Sequence, residues 1–327
     1  MLNGTTLDRA EQVYFMQITR SWLHQYLGHI GKDHLETLLK KGLADGITIN
    51  MKSKLRDICD HCIAGKQHCD PFLHASEHQS TTLLGRIHSD LHGPLPKTPY
   101  GYCYWMTLVD DMSRYKWVYL LKRKSNAFIC FKNFVAEVEC ELGTQVKQLC
   151  NDKGGEYMNT EFIQYCKDRG ISCQHTMKVT PQQNPVAECL NCTLAEGAVA
   201  MLNQANLPVI FWGQAVLYLT HILNTTPSLS VSETTSYEVW KKYKPNLTMY
   251  HVFGCWAFVH IPKKDRGPLE SHTNKCIFIG FDEGYKGWSV YDPKTRKVFT
   301  SRVLRWEYLS SGCRTEGYLG EVSRGSE

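Results

Sequence analysis

Hydrophobic and polar positions change their rhythm along the chain. To about residue 70 the pattern is helical and polar, with Trp22, Leu23, Tyr26, Leu27, Leu35, Leu38 and Leu39 near three-to-four spacing. His74 to Thr82 (HASEHQSTT) has no apolar rhythm and suits a linker. From Leu83 short apolar runs (Tyr104 to Val109, Trp117 to Leu121, Val146 to Cys150) alternate with longer amphipathic ones (Ala127 to Leu142, Asn159 to Asp168, Ala187 to Ala205). That mixture predicts an α/β domain ending near residue 230. Its last helix, about Val209 to Asn224, follows Leu207-Pro208, where proline suits a first turn. Beyond about Tyr250, runs such as CWAFVHI, KCIFIGF, WSVYD and KVFTSRVLRW sit between turn clusters and predict a small β-sheet or barrel.

Composition sharpens this picture in three places. A chain of 327 residues exceeds one usual core, which agrees with two or three units. With 43% hydrophobic and 21% charged residues, it is an ordinary globular chain rather than a disordered one. The net charge of +5 is uneven: residues 251 to 307 carry ten Lys/Arg against six Asp/Glu, so the tail is the basic part. Fourteen cysteines are too dilute for a secreted disulfide scaffold, and no leader or bilayer-length apolar run is evident. An intracellular chain with reduced thiols and no membrane association is the expectation.

Four of the soft ligands form an ordered set. His24 and His29 precede the C-x2-C pair Cys59 and Cys62. Two sulfurs three residues apart can bite one tetrahedral ion, and two imidazoles close a structural zinc site. Positions five apart on one helix diverge by about 140° at ~100° per residue, so the helix must break between the histidines, and Gly28 is placed to break it. Taken singly, each residue has an ordinary explanation as a cap, a surface side chain or small apolar packing. The set of four, in a unit too small for a generous core, points to Zn2+. A second C-x2-C, Cys189 and Cys192, falls in a predicted helix interior without histidine partners and is read as no metal site.

Three carboxylates form a second constellation. Asp90 ends a strand-like run (IHSD), Asp152 follows the apolar run to Cys150 and enters a Lys-Gly-Gly turn, and Glu188 lies in the first turns of a helix. Any lone carboxylate is more often a solvated surface group. Spacing raises these three, with 61 residues between Asp90 and Asp152 and 35 between Asp152 and Glu188. Hard oxygen ligands converging at a sheet edge suit Mg2+ or Mn2+.

From about residue 20 to 308 the sequence resembles the integrases of Copia-type LTR retrotransposons, within the retroviral integrase superfamily. WLHQYLGH with CDHCIAGK is similar to the pre-integrase zinc module. IHSDLHGP, VDDMSRYKWVYLLKRKS, NDKGGEY, TPQQNPVAE and LPVIFW are similar to the catalytic core, and VFGCWAFVHIPKKDRG, NKCIFIGF and YDPKTRKVFTSRV to the SH3-like module. The resemblance implies an α/β fold: a small helical zinc-binding module (1–75), an RNase H-like core of mixed sheet with flanking helices (83–235) and a small basic SH3-like β module (250–310). It implies the D,D(35)E triad on Asp90, Asp152 and Glu188, two Mg2+ (or Mn2+) ions, 3′-end processing and strand transfer of element DNA into target DNA. Asp90 would bridge both ions, with Asp152 on one and Glu188 on the other. It also implies a homo-oligomer working in the nucleus. Lys153, Lys178, Gln182, Gln183 and Asn184 flank the centre and would contact DNA phosphates and sugars.

Departures from the family pattern raise a second expectation. Pro185 stands where the mobile loop usually has glycine, and Cys189 and Cys192 stand where VAERxNRT has arginines. Thr225 replaces the arginine of N-R-x-P, and Lys153 replaces an asparagine. A decayed or domesticated remnant that binds DNA or oligomerises without strand transfer is the alternative. A nuclease of the same fold is disfavoured because both terminal modules match too.

Overall fold

The computed structural model describes residues 17–43, 48–49, 59–66, 79–152, 154–155, 157–175, 185–227, 234–282 and 287–306. The N-terminal unit is helical. Helix α1 (Arg20–Tyr26) is capped by the Thr19 hydroxyl on the Trp22 amide, and α2 (Lys32–Lys41) ends on left-handed Gly42. Strands β1 (Gln17–Ile18) and β2 (Thr48–Ile49) pair in parallel, and α3 (Asp60–Lys66) follows.

The central sheet has five strands: β3 (Ile87–His92), β4 (Tyr104–Asp110), β5 (Lys116–Leu121), β6 (Gln148–Asn151) and β7 (Ser172–His175). Their order is β5-β4-β3-β6-β7. The first three strands form an antiparallel meander, and β6 and β7 join β3 in parallel. Helices α4 (Ala127–Leu142) and α5 (Thr160–Asp168) make the connections that parallel pairing requires. This is the mixed sheet with flanking helices that the sequence led us to expect. Strand β7 was not anticipated, because SCQH is too short and polar to stand out from its neighbours.

Two long helices cover the sheet, one over β3 and β4 and the other over β5. Helix α6 runs from Pro185 to Ala205, and α7 from Trp212 to Thr225 after a 3-10 turn at Val209–Phe211. They meet closely because Gly197 has no side chain: a Cβ there would lie 2.3 Å from the Leu219 Cδ2. A short helix α8 (Ser236–Lys241), capped by Thr235, seats the buried Trp240 under β5.

The tail is a five-stranded antiparallel sheet: β8 (Trp256–His260), β9 (Thr273–Asp282), β10 (Gly287–Asp292), β11 (Lys297–Ser301) and β12 (Leu304–Trp306), in the order β11-β10-β9-β8-β12. The apolar run KVFTSRVLRW, one stretch in sequence, divides between β11 and β12, which lie on opposite edges.

The N-terminal helices share the core of the central helices, while the tail keeps only a small cluster of its own, Ala257, Val259, Cys276 and Val290. Leu23, Leu27 and Leu35 share one buried cluster with Leu194, Met201 and Leu219, and that cluster continues into Phe253 and Phe278. The Tyr26 hydroxyl donates to the Leu247 carbonyl at 2.8 Å, and the Tyr218 hydroxyl donates to the His251 carbonyl at 2.7 Å. At Gly254, φ is +84° and a Cβ would fall 2.2 Å from the Ala205 Cβ, so this backbone rests directly on the end of α6.

Helix α3 lies on α6 just as closely. A Cβ at Gly65 would meet the Glu196 carbonyl oxygen at 2.9 Å and the Ala200 amide at 3.0 Å. Glycine to alanine inside a helix ordinarily stabilises by roughly 0.5–1 kcal/mol. Here the added methyl collides with backbone that cannot rotate away. Gly65→Ala is expected to destabilise the chain by about 1–3 kcal/mol in urea unfolding. A midpoint that rises would mean α3 is not seated on α6.

Candidate metal centres

The chain after α1 makes the turn that the N-terminal ligands need. The helix ends at Tyr26, and Gly28 and His29 then take left-handed φ of 61° and 62°. His29 is thereby folded back over α1, its amide donating to the His24 carbonyl at 2.8 Å. Helix α3 brings Cys59 and Cys62 to the same point. His24 Nε2 lies 3.2 Å from His29 Nδ1, and Cys62 Sγ lies 3.3 Å from His24 Nε2 and 3.5 Å from His29 Nδ1. Cys59 Sγ is 3.3 Å from His29 Nδ1, and all four ligand atoms fall within 4.8 Å of one another.

Those separations suit zinc. With Zn–N near 2.0–2.1 Å and Zn–S near 2.3 Å, tetrahedral edges come to about 3.3 Å for N–N and about 3.6 Å for N–S. The His24 Nδ1 sits 2.8 Å from the Ile30 carbonyl, which makes it the protonated nitrogen and leaves Nε2 for an ion. His29 is fully buried, so the site is closed on that side.

The three carboxylates are neighbours of a looser kind. In the parallel β3–β6 pair, Ile87 aligns with Leu149 and His88 with Cys150. Carrying that register two residues further aligns Asp90 with Asp152, the residue just past the end of β6, and the charge of Asp152 is felt by the Asp90 carboxyl. Asp152 caps its own turn by accepting the Gly154 amide at 3.1 Å. Tyr157 fixes that turn from below, its hydroxyl 2.7 Å from the Ser89 hydroxyl. Glu188 arrives from the first turn of α6, on the same helical face as Asn191.

Asn191 locks α6 to the sheet. Its Nδ2 donates to Asp90 Oδ2 at 2.7 Å, and its Oδ1 accepts from the buried Trp105 Nε1 at 2.7 Å. This amide was not singled out in the sequence, where it is one polar position in a helix. Trp105 is a core aromatic and also the donor that orients Asn191. Burial pushes the Asp90 carboxyl up to about 6; bonds from Leu91 and Asn191 oppose the rise, and the charges of Asp152 and Glu188 add to it. Burial also raises Glu188, with Asp152 adding to the effect.

Among the described residues, only the His/Cys set gathers three or more such ligands tightly around one point. The looser carboxylates still suit hard cations, since two ions shared pairwise do not require all three around one ion. Lys153, Lys178, Gln182, Gln183 and Asn184 lie outside the described residues. Cys189 and Cys192 are exposed on α6, one and four positions beyond Glu188, and among the described residues they belong to no group of three or more metal-ligand side chains. Thr225 is buried at the end of α7, its hydroxyl donating to the Ile222 carbonyl at 2.9 Å, so that position faces protein.

Comparison with known proteins agrees with this architecture. The GAG-pre-integrase domain family matches residues 2–67, and the retroviral polymerase SH3-like domain family matches residues 255–307. The chain is 38% identical over 302 residues to the retrovirus-related Pol polyprotein from transposon TNT 1-94 of Nicotiana tabacum, covering 91% of this chain and 22% of that protein. The chain is thus homologous to one segment of retrotransposon Pol polyproteins. As a Pol segment it covers the integrase-like region and spans about a fifth of the length of the polyproteins it matches. The transposon RE2 polyprotein of Arabidopsis thaliana is 26% identical over 289 residues, covering 88% of this chain and 19% of that protein.

Two solved structures also align. A chain of the simian T-cell lymphotropic virus intasome in complex with PP2A regulatory subunit B56 gamma has TM-score 0.38 and 15% identity, covering 72% of this chain and 87% of that one. The BIV integrase catalytic core has TM-score 0.37 and 17% identity, covering 49% of this chain and 95% of that one.

The raised Asp90 value has a stability consequence. Its folded pKa lies above the unfolded one, so the contribution is fully present below about 4 and is lost as pH rises through about 6. Asp90→Asn keeps an acceptor for Asn191 and removes that loss. Without added divalent cation, the variant should gain on the wild type between pH 4 and 7, by on the order of 1–3 kcal/mol in denaturant titrations. A difference that does not vary with pH would mean the carboxylate is not desolvated.

Proposed function

We propose that this Pol segment is a Copia-type retrotransposon integrase, with a zinc-binding module over 1–75, a catalytic core over 83–235 and a basic SH3-like module over 250–310. It trims the 3′ ends of element DNA and joins them to target DNA in the nucleus, as a homo-oligomer. The observation that carries this reading is the register of Asp90 beside Asp152, with the helix of Glu188 tied to Asp90 through Asn191.

Mg2+ or Mn2+, when bound, neutralises phosphate charge and lowers the pKa of the attacking oxygen. The chain's own residues supply position. Asp90 would offer its oxygens from β3, Asp152 from the turn that follows β6, and Glu188 from the first turn of α6. Asn191 holds one Asp90 oxygen in place. His24, His29, Cys59 and Cys62 form the zinc site that supports the N-terminal module. Lys153, Lys178, Gln182, Gln183 and Asn184, with the basic tail, hold the DNA backbone.

The exposed Cys189 and Cys192 favour a second reading. Where relatives of this pattern carry two cations beside the glutamate, this helix presents neutral thiols, which weakens attraction for phosphates near the centre. Helix α6 begins at Pro185 itself, a position proline tolerates, so that substitution costs the helix nothing. A remnant that binds DNA without joining strands fits the lost charges.

Incubating the chain with element-end oligonucleotides and Mg2+ or Mn2+ separates the two readings. Strand-transfer products that fall at least 100-fold in Glu188→Gln establish an active integrase. Retarded DNA without products, identical in both proteins, establishes the remnant. Chelation should also lower helicity in circular dichroism, with recovery on adding Zn2+, and an unchanged spectrum would remove the zinc site from the proposal.

A further inference from the structure

The zinc site has a partner outside its own module. His29 Nε2 lies 2.6 Å from the Oε1 of Gln204, which stands in the last turn of α6, 175 residues away. This contact does not belong to the N-terminal unit, nor to the carboxylate centre, nor to the DNA-facing residues.

The chemistry of the two imidazoles fixes its sense. The His29 Nδ1 is the atom that faces His24, Cys59 and Cys62. If Nδ1 gives its lone pair to an ion, the proton of the neutral ring must sit on Nε2. That N–H is buried and needs an acceptor, and Gln204 is the side chain in place to accept it. His24 uses the opposite nitrogens: its Nδ1 meets the Ile30 carbonyl and its Nε2 faces the cluster. Each histidine is thus held by one outer oxygen, the first from its own module and the second from the catalytic domain.

We propose that Gln204 is the positioning residue of the zinc site, its amide oxygen fixing the His29 tautomer and ring so that the site is complete only when α6 is in place. The inference rests on the zinc reading given above. Its consequence is mechanical. The turn bearing His29 and the helix bearing Cys62 both rest on α6, through Gln204 and through Gly65 against Glu196 and Ala200. Bound zinc therefore joins two segments that clasp the helix carrying Glu188. Glu188 and Gln204 are sixteen residues apart, about 24 Å along one helix.

The test uses the full chain with Co2+ as a coloured substitute for Zn2+, and Zn2+ affinity from competition with a chromophoric chelator. The wild type should hold one Co2+ with thiolate charge-transfer and tetrahedral d–d bands. Gln204→Leu keeps the bulk and removes the acceptor, and should weaken Zn2+ binding by roughly 10- to 100-fold and shift the d–d bands. Gln204→Glu restores a stronger acceptor and should bind at least as tightly as the wild type. Equal affinity and an unchanged spectrum in the leucine variant would overturn the proposal. So would a glutamate variant that binds more weakly than wild type, a result that stands even if the leucine variant fails to fold. A wild type that takes up no stoichiometric Co2+ or Zn2+ would instead overturn the zinc reading itself.

Discussion

A helix of 21 residues, about 30 Å long, moves as one piece, and α6 has a candidate metal-ligand set near each end. Its first turn carries Glu188 and is tied to the sheet through Asn191 and Asp90. Its last turn meets His29 through Gln204 and takes the backbone of Gly254 against Ala205. Between these ends Leu194, Ala198, Met201 and Leu202 are buried among residues of all three units. Positioning either end therefore constrains the other. A rigid element serves this purpose better than a loop, because ligands must be held to within a fraction of an ångström to act together.

The carboxylate end is held against its own electrostatics. Asp90 sits in a buried strand and feels two neighbouring negative charges, so in the absence of cations the site opposes folding. The surrounding framework offsets that cost. Tyr157 braces the turn after β6, and Trp105, wedged between His92 and Trp212, donates to Asn191. The neutral amide of Asn191 satisfies one Asp90 oxygen without cancelling the charge that a cation would seek. The histidine–cysteine end works differently. Neutral imidazoles and thiols carry no charge into the interior before an ion arrives, so burial of His29 is tolerable.

Much of this was legible in the sequence, for identifiable reasons. Strand and helix lengths in the core follow from apolar periodicity, and α4 spans Ala127 to Leu142 as its pattern predicts. The His24, His29, Cys59 and Cys62 set is legible because C-x2-C spacing and a glycine between the histidines each have a geometric meaning. The residues that connect the parts were not legible. Gln204 and Asn191 are polar positions on a helix, and nothing in periodicity distinguishes an amide that caps a ligand from one that meets solvent. The shared core escaped for a related reason. Changes of texture locate changes of element type, whereas the apolar faces of α1, α7 and β9 reveal their common partner only once folded.

The same separation between framework and chemistry explains how Cys189 and Cys192 can differ from the family pattern while the fold stays whole. Both lie on the exposed side of α6, whereas Leu190 and Asn191 between them are buried. Exchanging an exposed arginine for cysteine removes charge and reach but no packing, so α6 keeps its seat and the carboxylates keep their neighbours. Thr225 is the opposite case. It is buried at the end of α7, and a guanidinium there would need a buried acceptor or an outlet to solvent, so the substitution alters packing rather than the face offered to DNA. In the proposed DNA complex, loss of cations at two of the three positions would bear on phosphate attraction, and each lost contact would lower the salt dependence of binding by about one unit of slope. Packing and the placement of the buried carboxylate and histidine neighbours do not register that loss, so the architecture can persist while the exposed charge of α6 drifts.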